Sequence, residues 1–269
     1  MTLANQFAAY TEWRTKLSSA IGQFKSWLTD NELSDAQIDL RLTQLLERLR
    51  EDRLNVAFVA EFSRGKSELI NAIFFAEYGS RMLPSSAGRT TMCPTELLFD
   101  ANKPSSIELL PIQTRSSNSG VTEYKRFPDE WKVVGLNIDE PDAMQDALRH
   151  VSETTRVMPD EARRLGFEVG EGEIDLYRVS DDGLVEIPRW RHAVINFPHP
   201  LLKQGLVILD TPGLNAIGAE PELTLSLLPN AHAVLFILAA DTGVTQSDLT
   251  IWKEHIGDGG TAKRGRMVV

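Results

Sequence analysis

The chain has 269 residues, of which 42% are hydrophobic and 25% are charged, as in ordinary soluble globular proteins, so the collagen-like, disordered and disulfide-stapled classes are excluded. Its net charge of −10 argues against binding to nucleic acid or to anionic lipid. A single cysteine (Cys93), the lack of any apolar run of the ~18 residues that a membrane span needs, and a polar start without a signal-peptide core indicate a cytosolic, soluble protein.

Two amphipathic helices are predicted at the N-terminus. Apolar and aromatic residues recur every three or four positions over residues 4–29 and again over 34–53, where Ser34 and Gln37 have the spacing of a capping box. Residues 1–53 are therefore expected to form a helical hairpin. Its apolar stripe must be buried elsewhere, either as a packing cap on the rest of the chain or as part of a longer stalk.

An α/β domain is predicted over residues 54–269. Apolar runs typical of buried strands occur at residues 54–60, 95–99, 106–111, 185–187, 193–197, 206–210 and 233–240. Helical patterns occur at residues 68–75, from Pro141 onward and at residues 249–256. Continuous apolar strands separated by helices favour a mostly parallel sheet with helices on both faces.

The negative charge is concentrated in one part of this domain. Residues 121–183 contain 16 acidic and 8 basic residues, which accounts for −8 of the net charge. A long folded insertion, acidic and of mixed α/β character, is therefore predicted at about residues 112–185. Its charge argues against contact with anionic lipid and favours a protein partner or an intramolecular regulatory role.

The strongest motif is Ala60-Glu61-Phe62-Ser63-Arg64-Gly65-Lys66-Ser67. It matches the phosphate-binding loop pattern G-x-x-x-x-G-K-[ST] except at its first position, where alanine replaces glycine. A loop between a strand and a helix turns backbone N–H groups and the positive helix end toward a phosphate. Lys66 would then neutralise phosphate oxygens and Ser67 would offer a hydroxyl ligand to Mg²⁺. Ala60 is compatible with this function provided that its φ is negative.

A second motif, Asp210-Thr211-Pro212-Gly213, follows the apolar run 206–210. Nucleoside triphosphatases with a phosphate-binding loop place at this point a carboxylate that holds Mg²⁺ through water and a glycine N–H that senses the γ-phosphate. Asp210 and Gly213 are the corresponding residues. The two motifs together predict binding and hydrolysis of a nucleoside triphosphate on a P-loop fold.

Residues 54–255 resemble the dynamin superfamily, in particular the bacterial dynamin-like GTPases. The resemblance rests on Glu-Phe-Ser-Arg-Gly-Lys-Ser followed by Leu-Ile-Asn-Ala, on a Leu-Pro…Thr…Pro segment at 83–94, and on Asp-Thr-Pro-Gly-Leu at 210–214. It implies Mg²⁺-dependent hydrolysis of GTP, self-association through the GTPase heads, and membrane remodelling or another mechanical task. Membrane contact would be made by segments outside this chain, and the full-length protein would be cytoplasmic or peripheral at the inner membrane.

The resemblance also implies roles for individual residues. Thr91 corresponds to the switch threonine that closes over Mg²⁺ and orients the attacking water. Ser63 lies where these GTPases place a group near that water and, in eukaryotic dynamins, near a monovalent cation.

Two arginines are candidates for a catalytic role. Arg64 departs from the small residue that many dynamins carry before Gly-Lys, and as an arginine finger it would stabilise charge developing between the phosphates. The alternative is that Arg64 pairs with Glu61 or with a partner head. Arg89, in the switch-like segment, is the second candidate.

The guanine-reading Asn/Thr-Lys-x-Asp motif does not occur in the sequence. The residues 266–269 resemble the opening of the strand that would deliver it, so the chain is expected to be an N-terminal fragment that is inactive or weak alone. GTP specificity thus rests on the resemblance. A nucleotide-regulated scaffold with little hydrolysis and an ATPase of the same fold remain the alternatives.

Overall fold

The computed structural model describes residues 3–31, 33–50, 53–61, 64–83, 93–117, 119–170, 177–211, 231–238, 240 and 243–253. The strands in this part of the chain are β1 (Leu54–Ala60), β2 (Thr95–Leu98), β3 (Ser106–Pro111), β4 (Lys132–Gly135), β5 (Thr154–Val157), β6 (Val169–Gly170), β7 (Tyr177–Arg178), β8 (Val185–Pro188), β9 (Trp190–Asn196), β10 (Leu206–Asp210) and β11 (Ala233–Ile237). The α-helices are α1 (Leu3–Asp30), α2 (Ala36–Arg50), α3 (Lys66–Phe74), α4 (Val121–Tyr124), α5 (Pro141–Arg149), α6 (Pro159–Arg164), α7 (Pro200–Lys203) and α8 (Gln246–Ile251).

Helices α1 and α2 form the predicted hairpin. Lys25 on α1 joins the two helices, because its Nζ lies 2.8 Å from Thr43 Oγ1 and 3.0 Å from Asp39 Oδ1. Helix α2 begins later than the sequence suggested: Asp35 caps it by accepting the Ile38 N–H at 2.7 Å, so the predicted capping box at Ser34 is wrong. No helix in the described part of the chain is both long and apolar enough to span a bilayer.

One side of α1 carries aromatic side chains that are about half exposed. Tyr10 stacks on Trp13 with 5.8 Å between ring centroids, and Phe24 stacks on Trp27 at 6.1 Å. Among the residues of the predicted stripe whose burial the structure describes, Leu28 at the end of the helix is the buried one. The hairpin by itself therefore leaves most of its aromatic face uncovered.

A seven-stranded sheet in the order β11-β1-β10-β2-β9-β3-β4 forms the centre of the molecule. The pairs β11-β1, β1-β10 and β2-β9 are parallel, and the pairs β10-β2, β9-β3 and β3-β4 are antiparallel. Parallel pairing therefore surrounds β1, the strand that leads into the phosphate-binding loop. The antiparallel pairs lie between β10 and β2 and around β3.

Side chains alternate between the two faces of this sheet, and each face has its own hydrophobic cluster. On β1, Phe58 belongs to the cluster that includes side chains of α3 and α5, whereas Ala57 and Val59 belong to the opposite cluster, which includes α4 and Trp131. Helices therefore cover both faces, which confirms the predicted α/β architecture.

The acidic segment 121–183 is divided between two cores. Its first part lies on the large sheet, since β4 is the edge strand and α5 packs on one face. Its second part includes β5, paired antiparallel with β8, and β6, paired with β7. These strands and α6 enclose a separate hydrophobic cluster around Phe167 and Ile187. The predicted insertion boundaries remain a prediction, but the acidic segment is not a layer separate from the main sheet.

A buried carboxylate ties the acidic segment to the main sheet. Glu96 on β2 accepts hydrogen bonds from His192 Nε2 on β9 at 3.0 Å and from Lys125 Nζ, just after α4, at 2.6 Å. Burial alone would raise the pKa of Glu96, but the hydrogen bond and charge of His192, followed by those of Lys125, hold the pKa at about 2.

Acid should destabilise the protein through this residue. Because the folded state lowers the pKa of Glu96 from 4.5 to about 2, its ionised form stabilises the fold above pH 4.5, and that contribution is lost as the pH falls toward 2. We expect Glu96→Gln to lower the free energy of unfolding by about 3 kcal/mol at pH 7. The difference from wild type should shrink between pH 4.5 and 2, as measured by urea denaturation at fixed pH. Glu12→Gln, which removes an exposed pair with Lys16, is the control, and a pH-independent effect of Glu96→Gln would contradict the assignment.

Candidate nucleotide-binding site

The phosphate-binding loop lies between β1 and α3, as the sequence predicted. Ala60 is the last residue of β1, and its pairing with Ile237 in a strand is compatible with a methyl side chain. Gly65 caps α3 in a left-handed conformation, with φ of 80° and ψ of 15°. A Cβ at this position would meet no neighbouring atom, so the requirement for glycine comes from the backbone conformation and not from space.

Lys66 and Ser67 form the first turn of α3, and both are buried. The first N–H groups of a nine-residue helix have no acceptor within the helix itself, and they lie at the positive end of the helix dipole. A lysine in the same turn adds a full positive charge to that partial charge. This arrangement favours an anion such as a phosphate group.

Asp210 brings the second motif to the first. It ends β10, which lies beside β1 in parallel, with Asp210 in register with Phe58. Lys66 Nζ lies 2.9 Å from Asp210 Oδ1, and each side chain is only 8% exposed. Two motifs that are far apart in the sequence thus meet in one buried ion pair.

The oxygen donors at this position fit a magnesium ion. Ser67 provides a hydroxyl and Asp210 a carboxylate, and Mg²⁺ prefers oxygen ligands of this kind, usually one or two from the protein together with phosphate and water. Within the described ranges, no group of three or more His, Cys, Asp or Glu side chains could hold a metal ion by itself. The two oxygen donors of Ser67 and Asp210 would leave the remaining positions around Mg²⁺ to phosphate and water.

Arg64 is paired with Glu61 inside the loop. Its Nε donates to Glu61 Oε2 at 3.2 Å, its terminal Nη2 donates to the same oxygen, and the two side chains are 14% and 17% exposed. This is the pairing that the sequence left open as the alternative to an arginine finger. The partner of Arg64 within its own loop is thus a carboxylate.

Two buried side chains near the loop were not assigned a role from the sequence. Asn71 on α3 donates to the Leu83 carbonyl at 3.0 Å and accepts the backbone N–H groups of Met82 and Leu83 at 3.2 and 2.8 Å. The hydroxyl of Thr211 donates to the Phe58 carbonyl at 2.9 Å. The sequence shows Asn71 within Leu-Ile-Asn-Ala and Thr211 within Asp-Thr-Pro-Gly. It does not show their hydrogen-bond partners, because these lie on other elements.

Several predicted site residues lie outside the described part of the chain. These are Phe62, Ser63, Arg89, Thr91 and Gly213. Cys93, which lies between Thr91 and β2 in the sequence, is buried, and its thiol donates to the Val151 carbonyl at 3.7 Å. The described site is therefore the half formed by Glu61, Arg64, Gly65, Lys66, Ser67 and Asp210.

The chain resembles a protein family and several known proteins. The family model described as "Dynamin family" matches residues 56–265. A bacterial dynamin-like protein of Nostoc punctiforme is 24% identical over 215 residues, which cover 80% of this chain and 24% of the relative. The isoniazid-induced protein IniA of Mycobacterium tuberculosis is 37% identical over 82 residues, covering 27% of this chain and 12% of IniA.

Solved structures of an oligomerised bacterial dynamin pair, described as a mechanism for the long-range sensing and tethering of membranes, were also found. One has a TM-score of 0.43 at 16% identity and covers 87% of this chain and 28% of that one. Another has a TM-score of 0.42 at 15% identity, covering 93% and 36%.

The chain spans about a quarter of the length of the Nostoc relative and a smaller share of IniA. The family model, in contrast, covers both motifs and most of the sheet between them. The chain therefore belongs to the dynamin family of GTPases.

Proposed function

We propose that this chain is the nucleotide-binding part of a dynamin-like GTPase that hydrolyses GTP with Mg²⁺. The observation that carries the proposal is the buried contact of 2.9 Å between Lys66 of the phosphate-binding loop and Asp210 of the second motif. A cation, a hydroxyl and a carboxylate at the start of one helix are the groups that phosphoryl transfer requires.

The residues of the chain would share the work in the following way. The N–H groups at the start of α3 and the ammonium of Lys66 bind and neutralise phosphate oxygens. The hydroxyl of Ser67 and, through water, the carboxylate of Asp210 would hold Mg²⁺, and Thr91 would be a further ligand. A bound Mg²⁺ supplies charge neutralisation at the β- and γ-phosphates. When a nucleotide enters, Lys66 exchanges its contact with Asp210 for contacts with phosphate.

Other residues are assigned by family membership. Thr91 and Ser63 orient the attacking water, and the N–H of Gly213 contacts the γ-phosphate. A monovalent cation near Ser63 belongs to the same assignment. Arg64 is not a residue typical of the family, and its role is proposed from its place in the loop: it would stabilise developing charge once it leaves Glu61.

The larger task of the protein is proposed on the same basis. GTPase heads associate with one another, and that association drives membrane remodelling or another mechanical task in the cytoplasm or at the inner membrane. The exposed aromatic face of α1 supports a role for the hairpin in a longer stalk. The acidic segment is the proposed contact for a protein partner.

A second candidate is a nucleotide-regulated scaffold with little hydrolysis. The contact between Glu61 and Arg64 favours it, because this contact occupies the cation that would otherwise stabilise the transition state. An ATPase of the same fold is the remaining alternative, since no guanine-reading motif occurs in the sequence.

Single-turnover hydrolysis by the full-length protein tests the function. We expect GTP to be cleaved in the presence of Mg²⁺, and unlabelled GTP to displace a fluorescent GTP analogue at least 100-fold better than ATP does. Bound but uncleaved GTP would favour the scaffold. Equal or better competition by ATP would favour the ATPase.

Replacing Lys66 by alanine should weaken nucleotide binding by at least 100-fold. The variant loses the cation that would bind phosphate, and it leaves the buried Asp210 carboxylate without the charge of Lys66. Because this could destabilise the fold, circular dichroism must first show that the variant is folded. Fluorescence titration with a GTP analogue gives the affinity. Lys16→Ala, which removes an exposed lysine on α1, should bind as the wild type does, and retained affinity in Lys66→Ala would place the site elsewhere.

Arg64→Ala should slow turnover at least tenfold and change nucleotide affinity by less than threefold, because an arginine finger acts on charge that develops only in the transition state. Glu61→Gln separates this role from a structural one. If Arg64 acts only by pairing with Glu61, both variants should show equal losses. A smaller loss in Glu61→Gln, measured by GTP turnover at saturating nucleotide, is the result that we expect.

A further inference from the structure

Thr211 is a buried side chain at the point where β10 ends. It is 1% exposed, and its hydroxyl donates to the Phe58 carbonyl on β1 at 2.9 Å. The parallel pairing of these two strands ends one residue earlier, at the pair formed by Phe58 and Asp210. The hydroxyl therefore adds a bond between the strands just beyond the end of their ladder.

The residue type explains how a side chain can make this bond. Threonine carries a hydroxyl donor on a short, branched side chain, which loses little conformational freedom when it is buried. A valine of nearly the same shape would fill the space but could not donate.

The bond lies next to the groups that bind nucleotide and metal in the proposed function. Phe58 is two residues before the end of β1, from which the chain enters the phosphate-binding loop, and Asp210 directly precedes Thr211. Lys66 and Asp210 belong to different elements, so their contact depends on how β1 and β10 are aligned at this end. Strand β2 lies on the other side of Asp210, with Thr95 in register.

We propose that Thr211 is a positioning residue that fixes the Asp210 carboxylate relative to the phosphate-binding loop. The inference rests on the proposed function, since it concerns the placement of the carboxylate that would hold Mg²⁺ through water. It assigns no contact between Thr211 and the nucleotide. We expect Lys66 and the start of α3 to stay in position without the bond from Thr211 to Phe58.

The affinity for nucleotide with and without Mg²⁺ separates this role from a structural one. In EDTA, the dissociation constant of a fluorescent GTP analogue depends on Lys66 and the helix start, so Thr211→Val should remain within twofold of wild type. In excess Mg²⁺, the gain in affinity depends on Asp210, and we expect Thr211→Val to reduce that gain at least fivefold and kcat about tenfold. Thr211→Ser, which keeps the hydroxyl, should restore both to within about twofold.

Thr95→Val is the matched control. Thr95 on β2 is also buried and is in register with Asp210. Its hydroxyl donates to the backbone carbonyl of Cys93 at 3.1 Å, which lies just before its own strand and not on β1. It should lower the midpoint of thermal unfolding, as Thr211→Val does, without changing the gain from Mg²⁺. If Thr211→Val does not fold, Thr211→Cys, with its weaker donor, should show an intermediate loss.

The outcomes are distinct for the inference and for the proposed function. A Thr211→Val protein with lowered thermal stability but an unchanged Mg²⁺ gain and kcat would overturn the positioning role and leave the GTPase proposal intact. A wild-type protein that binds no nucleotide in either buffer would overturn both. A loss in Thr211→Val that Thr211→Ser fails to restore would also overturn the role of the hydroxyl.

Discussion

The buried ion pair between Lys66 and Asp210 is the contact on which the rest of the site depends. Two buried opposite charges are stable only while they stay in contact with each other. The elements that carry them must therefore be fixed relative to one another. Strand β1 leads into the phosphate-binding loop, and Gly65, in its left-handed conformation, caps α3 directly before Lys66. The parallel neighbour β10 ends at Asp210 and places its carboxylate beside the loop. A sheet in which β1 and β10 are neighbours is therefore a condition of the chemistry as well as of the fold.

The arrangement of the sheet follows from the same requirement. Strands around β1 are parallel, and this places the ends of β1, β10 and β11 at one edge, where loops can converge on a ligand. Away from that edge, β4, which belongs to the acidic segment, pairs antiparallel with β3, and β3 pairs antiparallel with β9. The part of the sheet around the candidate site and the part that includes β4 therefore differ in how neighbouring strands pair, although each face has one continuous hydrophobic cluster.

The sequence indicated that Lys66 and Asp210 belong together, but it did not indicate the side chains that fix the surrounding backbone. Motif spacing was sufficient for Lys66 and Asp210, because a loop between a strand and a helix has few geometries. It was not sufficient for Asn71 and Thr211, whose backbone partners depend on long-range packing. Edge strand β4 was missed because it has only four residues, most of them exposed, and so it has no apolar run. The start of α8 was predicted too late, at residue 249. The helix begins at Gln246, because its capping box of Thr245 and Asp248 precedes the apolar residues on which the prediction was based.

The bond from Lys125 to Glu96 has a consequence for the origin of the acidic segment. A segment that contacts the rest of a protein only through a surface loop can be lost in evolution without destabilising the core. Here the acidic segment supplies a cation to a carboxylate that is buried in the main sheet beside His192. Excising the segment would leave that carboxylate short of charge, so related chains that lack the segment should carry a different, uncharged residue in place of Glu96.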